Sequence, residues 1–97
     1  MAENIDDLTI NWTDEDGNLV VKELKKEVLT RGAWTTIMYA YQEMDRKTGD
    51  YGPVKFRVVR YQKRNGRFTP QSKFNISSIK QAGEVVRILS QWVEELG

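Results

Sequence analysis

Between Tyr51 and Gly83 the chain carries eight cations and no acid: Lys55, Arg57, Arg60, Lys63, Arg64, Arg67, Lys73 and Lys80. Aromatic and strand-forming residues are interleaved with them. That combination is the footprint of a sheet that binds a polyanion, with guanidinium and ammonium groups for phosphates and flat rings for bases. The formal net charge of +1 conceals this run. The first 27 residues hold eight acids (Glu3, Asp6, Asp7, Asp14, Glu15, Asp16, Glu23 and Glu27) against three lysines. Opposite charge in the two parts of the chain predicts that the acidic N-terminus, Glu3 to Asp16, screens the basic face, a disordered solubilising tail without contact being the alternative. A solvated, solubilising surface is the other reading of the same cations.

Other chemistries are poorly provided for. The 97 residues contain no histidine and no cysteine, which removes imidazole and thiol catalysis and ordinary zinc ligation. The acids cluster near the N-terminus and in a turn rather than in a convergent constellation, so an enzyme is not expected, nor a metal or cofactor. Asp14-Glu15-Asp16-Gly17-Asn18 has the composition of a calcium loop without its further ligands, and suits a solvated turn better. No apolar run is long enough for a membrane span, so the expectation is a soluble, cytoplasmic protein, associated with the nucleoid if bacterial.

The elements that must position these residues can be traced along the chain. Residues 1–18 form an acidic segment in which Leu8, Ile10 and Trp12 alternate with polar residues, a short strand leading into a turn. In residues 19–31, Val20, Leu24 and Val28 fit both helical and alternating spacing; a strand ending at the Arg31-Gly32 turn is preferred because the next segment needs an antiparallel neighbour. Ala33 to Met44 is rich in Trp, Thr, Ile, Met and Tyr, as in a strand covered on both faces. Asn65-Gly66 predicts a two-residue type I′ hairpin, since both central positions need positive φ. Its register pairs Arg64 with Arg67, Gln62 with Thr69, Arg60 with Gln71 and Val58 with Lys73. Phe68, Pro70, Ser72, Phe74 and Ile76 would then face the core. Arg60, Gln62, Arg64, Arg67, Gln71 and Lys73 would share the open face. Val58-Val59 interrupts the alternation and suggests a bulge, and Pro70 suggests an edge strand. Ser78 and Gln81 have capping-box spacing before a helix whose apolar residues Ile79, Ala82, Val86, Leu89, Val93 and Leu96 repeat at 3 and 4. Val85, Ile88 and Trp92 form a second stripe, which suits a partner subunit.

The expected fold is α+β: a curved antiparallel sheet of four to five strands followed by one C-terminal amphipathic helix. With its basic sheet face, this resembles the single-stranded-DNA-binding domain of the positive cofactor four family of transcriptional coactivators and their smaller bacterial relatives. The resemblance is best over residues 54–95, within a family-like domain spanning 19–97. There Val58-Val59-Arg60-Tyr61 leads to a tight Gly turn, Gly66, Pro70 and Lys73 follow at a Gly-x-x-x-Pro-x-x-Lys spacing, and a Ser-opened helix closes the chain. Arg31-Gly32 before Trp34 is similar to the family's basic Gly turn. The loop at 45–53 and the N-terminal segment depart from the pattern.

The resemblance implies a homodimer that binds single strands on paired sheets, with the helices at the dimer core. It carries over most firmly to Pro70 and Lys73, and also to Arg31, Trp34, Arg60 and Tyr61. Lys55, Arg57, Lys63, Arg64 and Arg67 enter from the charge run and the hairpin register. Val85, Ile88 and Trp92 are the expected dimer residues. The expected function is a non-enzymatic single-stranded DNA-binding protein with weak sequence preference, RNA being the other candidate strand, in transcription or DNA maintenance. The alternative is a protein-interaction module whose basic face binds an acidic partner. At least half of Trp34, Tyr39, Tyr41 and Tyr61 are expected in the core.

Overall fold

A computed structural model describes residues 4–97. Five strands, β1 (Trp12–Thr13), β2 (Leu19–Thr30), β3 (Trp34–Glu43), β4 (Lys55–Arg64) and β5 (Arg67–Ile76), form one curved antiparallel sheet in sequence order. A short 3₁₀ turn, Ile5–Asp7, precedes them, and the helix α1 (Ile79–Leu96) follows. The fold is therefore α+β, as the pattern predicts. The ambiguous segment is strand: β2 runs for 12 residues beside β3.

β3 explains why. It is not covered on both faces, as its composition suggests, but on one: exposure alternates strictly from Trp34 to Tyr41, with Thr35, Ile37, Tyr39 and Tyr41 buried and their neighbours half-buried or exposed. The period of two places the four buried residues on one face, and β4 adds Val59 and Tyr61 to it. No second sheet covers that face. The cover is the N-terminal segment: Leu8 is buried in the cluster with Ile37, Tyr39, Val59, Tyr61 and Phe68, and Ile5, Ile10 and Val28 pack against it. Lys26, opposite Tyr39 on β2, donates from Nζ to the carbonyls of Ile5 (2.7 Å), Leu8 (2.7 Å) and Asp6 (3.2 Å). One ammonium thus serves three carbonyls of the irregular segment, of which that of Ile5 also accepts the Leu8 N–H. Thr9 donates to Glu23, and the Glu23 N–H donates to Asn11, fastening the same segment to β2.

The β4–β5 turn has the predicted geometry, with φ +52° at Asn65 and +77° at Gly66. Arg64 pairs with Arg67 and Gln62 with Thr69 as expected, and the register then slips. Tyr61 pairs with Pro70, Arg60 with Ser72, Val59 with Lys73 and Val58 with Phe74. Gln71 is the extra residue of a bulge on β5, next to the proline that has no N–H to give the ladder. The bulge expected at Val58-Val59 is instead across the hairpin.

The helix starts as its capping residues dictate. The Gln81 N–H donates to Ser78 Oγ (3.0 Å), while Gln81 Oε1 accepts from the N–H and hydroxyl of Ser77. Its main contact is with β5, and none of its residues is buried. The sheet face opposite the core is open over much of its area.

Candidate nucleic-acid interface

The open face is set by alternation in β3 and β4 and by the hairpin turn. Trp34 stands opposite Gln62, Thr36 opposite Arg60 and Met38 opposite Val58, so Trp34, Met38, Arg60 and Arg64 share this face. Arg67 joins them across the turn from Arg64. The Arg60 guanidinium carbon lies 4.2 Å from the centroid of the Trp34 ring, a cation–π stack at the surface. Trp34 is 41% exposed. Arg64 donates from Nε to Gln62 Oε1 at 2.9 Å, which fixes the direction of its guanidinium while leaving other N–H donors outward. Neither Arg60, Arg64 nor Arg67 has a carboxylate partner among the described residues.

The slipped register corrects the expected faces beyond Pro70: Ser72 and Ile76, expected toward the core, lie opposite Arg60 and Phe56 on the other face. Lys73, expected beside Arg60, lies opposite Val59 on the core-side face. Phe74, expected inside, lies on the open face opposite Val58 and is 60% exposed. A one-residue insertion exchanges the faces of everything beyond it, because side chains alternate with period two. Phe74 is thus a surface ring that sequence reasoning missed. Pro70 carries both signals: it marks β5 as an edge strand, as expected, and it adjoins the bulge.

The remaining basic residues are dispersed. Lys55 pairs with Glu43 at 2.9 Å, and that hydrogen bond raises its pKa. Arg57 donates to Asn75 and to the Tyr41 hydroxyl and stacks on the Tyr41 ring at 4.6 Å. Lys63 lies over Phe68 on the core-side face, and with Arg31 it borders a hollow that also contains Asp6 and Asp7. Asp6 and Asp7 therefore neighbour Arg31 and Lys63 rather than the open-face arginines, while the charge acting on Asp14 is Arg46. Glu3 lies outside the described residues. Lys55, Arg57, Lys63 and Lys73 all occupy the face opposite Arg60, because odd and even positions of β4 diverge.

Tyr61 is corrected outright as a base-stacking residue. It is 4% exposed, and its hydroxyl pairs with that of Tyr39 at 2.8 Å. Burial raises the pKa of both phenols, keeping them neutral. Tyr39 and Tyr41 are also buried, leaving Trp34 as the exposed member of the four aromatics considered.

On α1, Val85 and Ile88 are half-buried with Ala82, and Trp92 is 54% exposed. The more exposed apolar stripe comprises Ile79, Val86, Leu89, Val93 and Leu96. The stripe assigned from sequence to the partner is therefore, apart from Trp92, the better covered of the two. No helix among the described residues is long and apolar enough to cross a membrane, and those residues contain no cluster of acids suited to a metal. In comparisons with known proteins, no family model, no curated protein and no solved structure matches this chain.

Proposed function

We propose that this protein binds single-stranded DNA on the open face of its sheet, without catalysis and with weak sequence preference. The observation that carries the reading is the surface stack of Arg60 on Trp34, flanked by Arg64 and Arg67. The three arginines supply phosphate contacts; Trp34 and Phe74 supply ring faces for unpaired bases. A rigid duplex hides its base faces, so stacking of this kind favours a single strand. Phosphate and stacking contacts hold little base information, hence the weak preference.

The functional unit is a homodimer joined through α1, whose apolar stripe would otherwise remain in water. These features agree with the positive cofactor four resemblance of residues 54–95, and with a role as a transcription or DNA-maintenance accessory factor inside the cell. An electrophoretic-shift comparison of single-stranded DNA, duplex DNA, RNA and an acidic polypeptide at moderate salt tests the proposal. Preferential retention of single-stranded DNA is expected. Stronger binding of the polypeptide would favour the protein-interaction reading, and stronger binding of RNA would reassign the ligand.

A further inference from the structure

The loop at 45–53 has no part in the arginine end of the open face, yet it brings a ring to the opposite end. It folds back on the sheet: the Asp45 N–H donates to the Asp50 carbonyl (2.8 Å), the Gly52 N–H to that of Glu43 (2.9 Å), and Met44 pairs with Tyr51 in an antiparallel bridge. Met44 continues the even-numbered series of β3 that begins with Trp34, so Tyr51 belongs to the open face. Its hydroxyl donates to the Leu19 carbonyl at 2.7 Å, which fixes the ring, and the residue is 37% exposed. Lys22 stands opposite Gln42 on the same face, with its ammonium 5.1 Å from the Tyr51 ring centroid. A cation beside an exposed ring therefore occurs at both ends of one face: Arg60 with Trp34, and Lys22 with Tyr51. From Trp34 to Gln42 the interval is roughly 27 Å along β3.

The residues between the two ends define a path. Lys25, opposite Ala40, adds an exposed cation to this face on β2. Neither Lys22 nor Lys25 has a carboxylate partner among the described residues. Glu27 stands on the same face opposite Met38, and repels a phosphate from the β2 side of that row. The next row crosses the sheet through Ile76, Phe56, Ala40 and Lys25, and α1 begins just beyond Ile76, so the helix approaches it from the β5 side. The track therefore runs diagonally, from Arg60 on β4 over Met38 on β3 to Lys25 and Lys22 on β2. At about 3.4 Å per nucleotide in a stacked strand, it takes roughly eight nucleotides, and fewer in an extended one. A lysine stem is flexible, so Lys22 can turn to a phosphate and clear the ring face for a base.

We infer, resting on the strand-binding reading above, that one single strand occupies both ends of the open face, with Tyr51 as a second stacking ring and Lys22 and Lys25 as phosphate contacts. The test is fluorescence anisotropy on the full chain with labelled oligothymidylates of four and twelve nucleotides across a salt series. The shorter strand stays on the arginine end, where Arg60, Arg64 and Arg67 alone set its salt dependence. The longer one is expected to bind at least about tenfold tighter, because it gains a stacked base and two phosphate contacts. Tyr51→Ala is expected to weaken the longer complex about tenfold and leave the shorter unchanged, whereas Tyr51→Phe, which keeps the ring, retains the parent affinity. Lys22→Ala with Lys25→Ala is expected to flatten the log–log salt slope of the longer complex by about 1.4, using roughly −0.7 per contact. Circular dichroism checks the fold of each variant. Parent-like binding of both lengths by Tyr51→Ala, or an unchanged slope in the lysine pair, would overturn the inference while Trp34→Ala still weakens both complexes. Loss of the Trp34→Ala effect as well would overturn the strand-binding reading itself.

Discussion

The Arg60 guanidinium is stacked on the Trp34 ring across the β3–β4 pair, two residues out of direct register, since Trp34 stands opposite Gln62. The diagonal fits a long side chain reaching along the strand direction on a pleated surface. It places a cation and a ring face in one exposed spot, as a nucleotide's phosphate and base require.

Replacing Trp34 by alanine is expected to weaken single-strand binding by about 1–3 kcal/mol, the usual worth of one stacked base. The fold should persist, because Trp34 is exposed at the beginning of β3. Fluorescence anisotropy with a labelled oligonucleotide gives the affinity, and far-ultraviolet circular dichroism checks the fold. Unchanged affinity would remove Trp34 from the interface.

Three arginines on the open face, rather than four cations, set the ionic contribution. The expected log–log salt slope is about −2 per protomer, using roughly −0.7 per neutralised phosphate. Arg64→Ala with Arg67→Ala should flatten it to about −0.7, whereas Lys73→Ala should leave it unchanged. A loss of slope on changing Lys73 would put the strand on the other face.

Phe68 and Phe74 occupy the same strand and opposite faces, at 4% and 60% exposure. Phe68→Ala is expected to cost about 3–5 kcal/mol of stability in urea denaturation. Phe74→Ala should cost much less, in the range of about 0.5 kcal/mol typical of surface changes. Its effect should appear instead as weaker strand binding. Comparable losses of stability in the two variants would contradict the slipped register.

Leu8 and Lys26 make the N-terminal segment part of the folded unit. Leu8→Ala is expected to destabilise by about 2–5 kcal/mol, as for a buried leucine. Lys26→Met should cost about 1.5–3 kcal/mol by removing a charged donor from three carbonyls. Deletion of residues 1–16 should therefore impair folding rather than tighten strand binding. Full stability after that deletion would show that the segment is dispensable.

Alkali should unfold the protein through Tyr39 and Tyr61. Burial is the largest cause raising both phenol pKa values, so between the unfolded value of about 10 and the folded one the native state holds more protons. Stability is then complete below about pH 10 and falls as pH rises through that value. Lys55 has the same sign, since its raised pKa loses the Glu43 partner at high pH. Phenolate absorbance should show Tyr39 and Tyr61 ionising together with loss of the fold; their ionisation near pH 10 in the native state would contradict this.

The stripe of Val86, Leu89 and Val93 should hold two copies together. Leu89→Asp is expected to shift light-scattering mass from dimer to monomer at micromolar concentration, with helix content kept. A monomeric parent chain would refute the helix-mediated dimer.

Much of the architecture follows from local pattern. Asn65-Gly66 determines the turn because few residue pairs accept positive φ twice, and Ser78 and Gln81 determine where α1 starts. These signals need no knowledge of distant partners. The faces of β5 beyond Pro70 were decided otherwise. A bulge is a compromise between ladder hydrogen bonds and packing, and its cost depends on the partner strand; the slip that sends Phe74 outward and Lys73 inward is a property of the β4–β5 pair. The role of the N-terminal segment was also beyond local reading. Its acidity suggests a solvated screen, whereas Leu8 and the carbonyls around it are held by Val59, Tyr61 and Lys26, residues 18 to 53 positions away. Only the closed tertiary structure decides which face of a thin sheet receives such a cover, because burial is shared among segments that no local window contains.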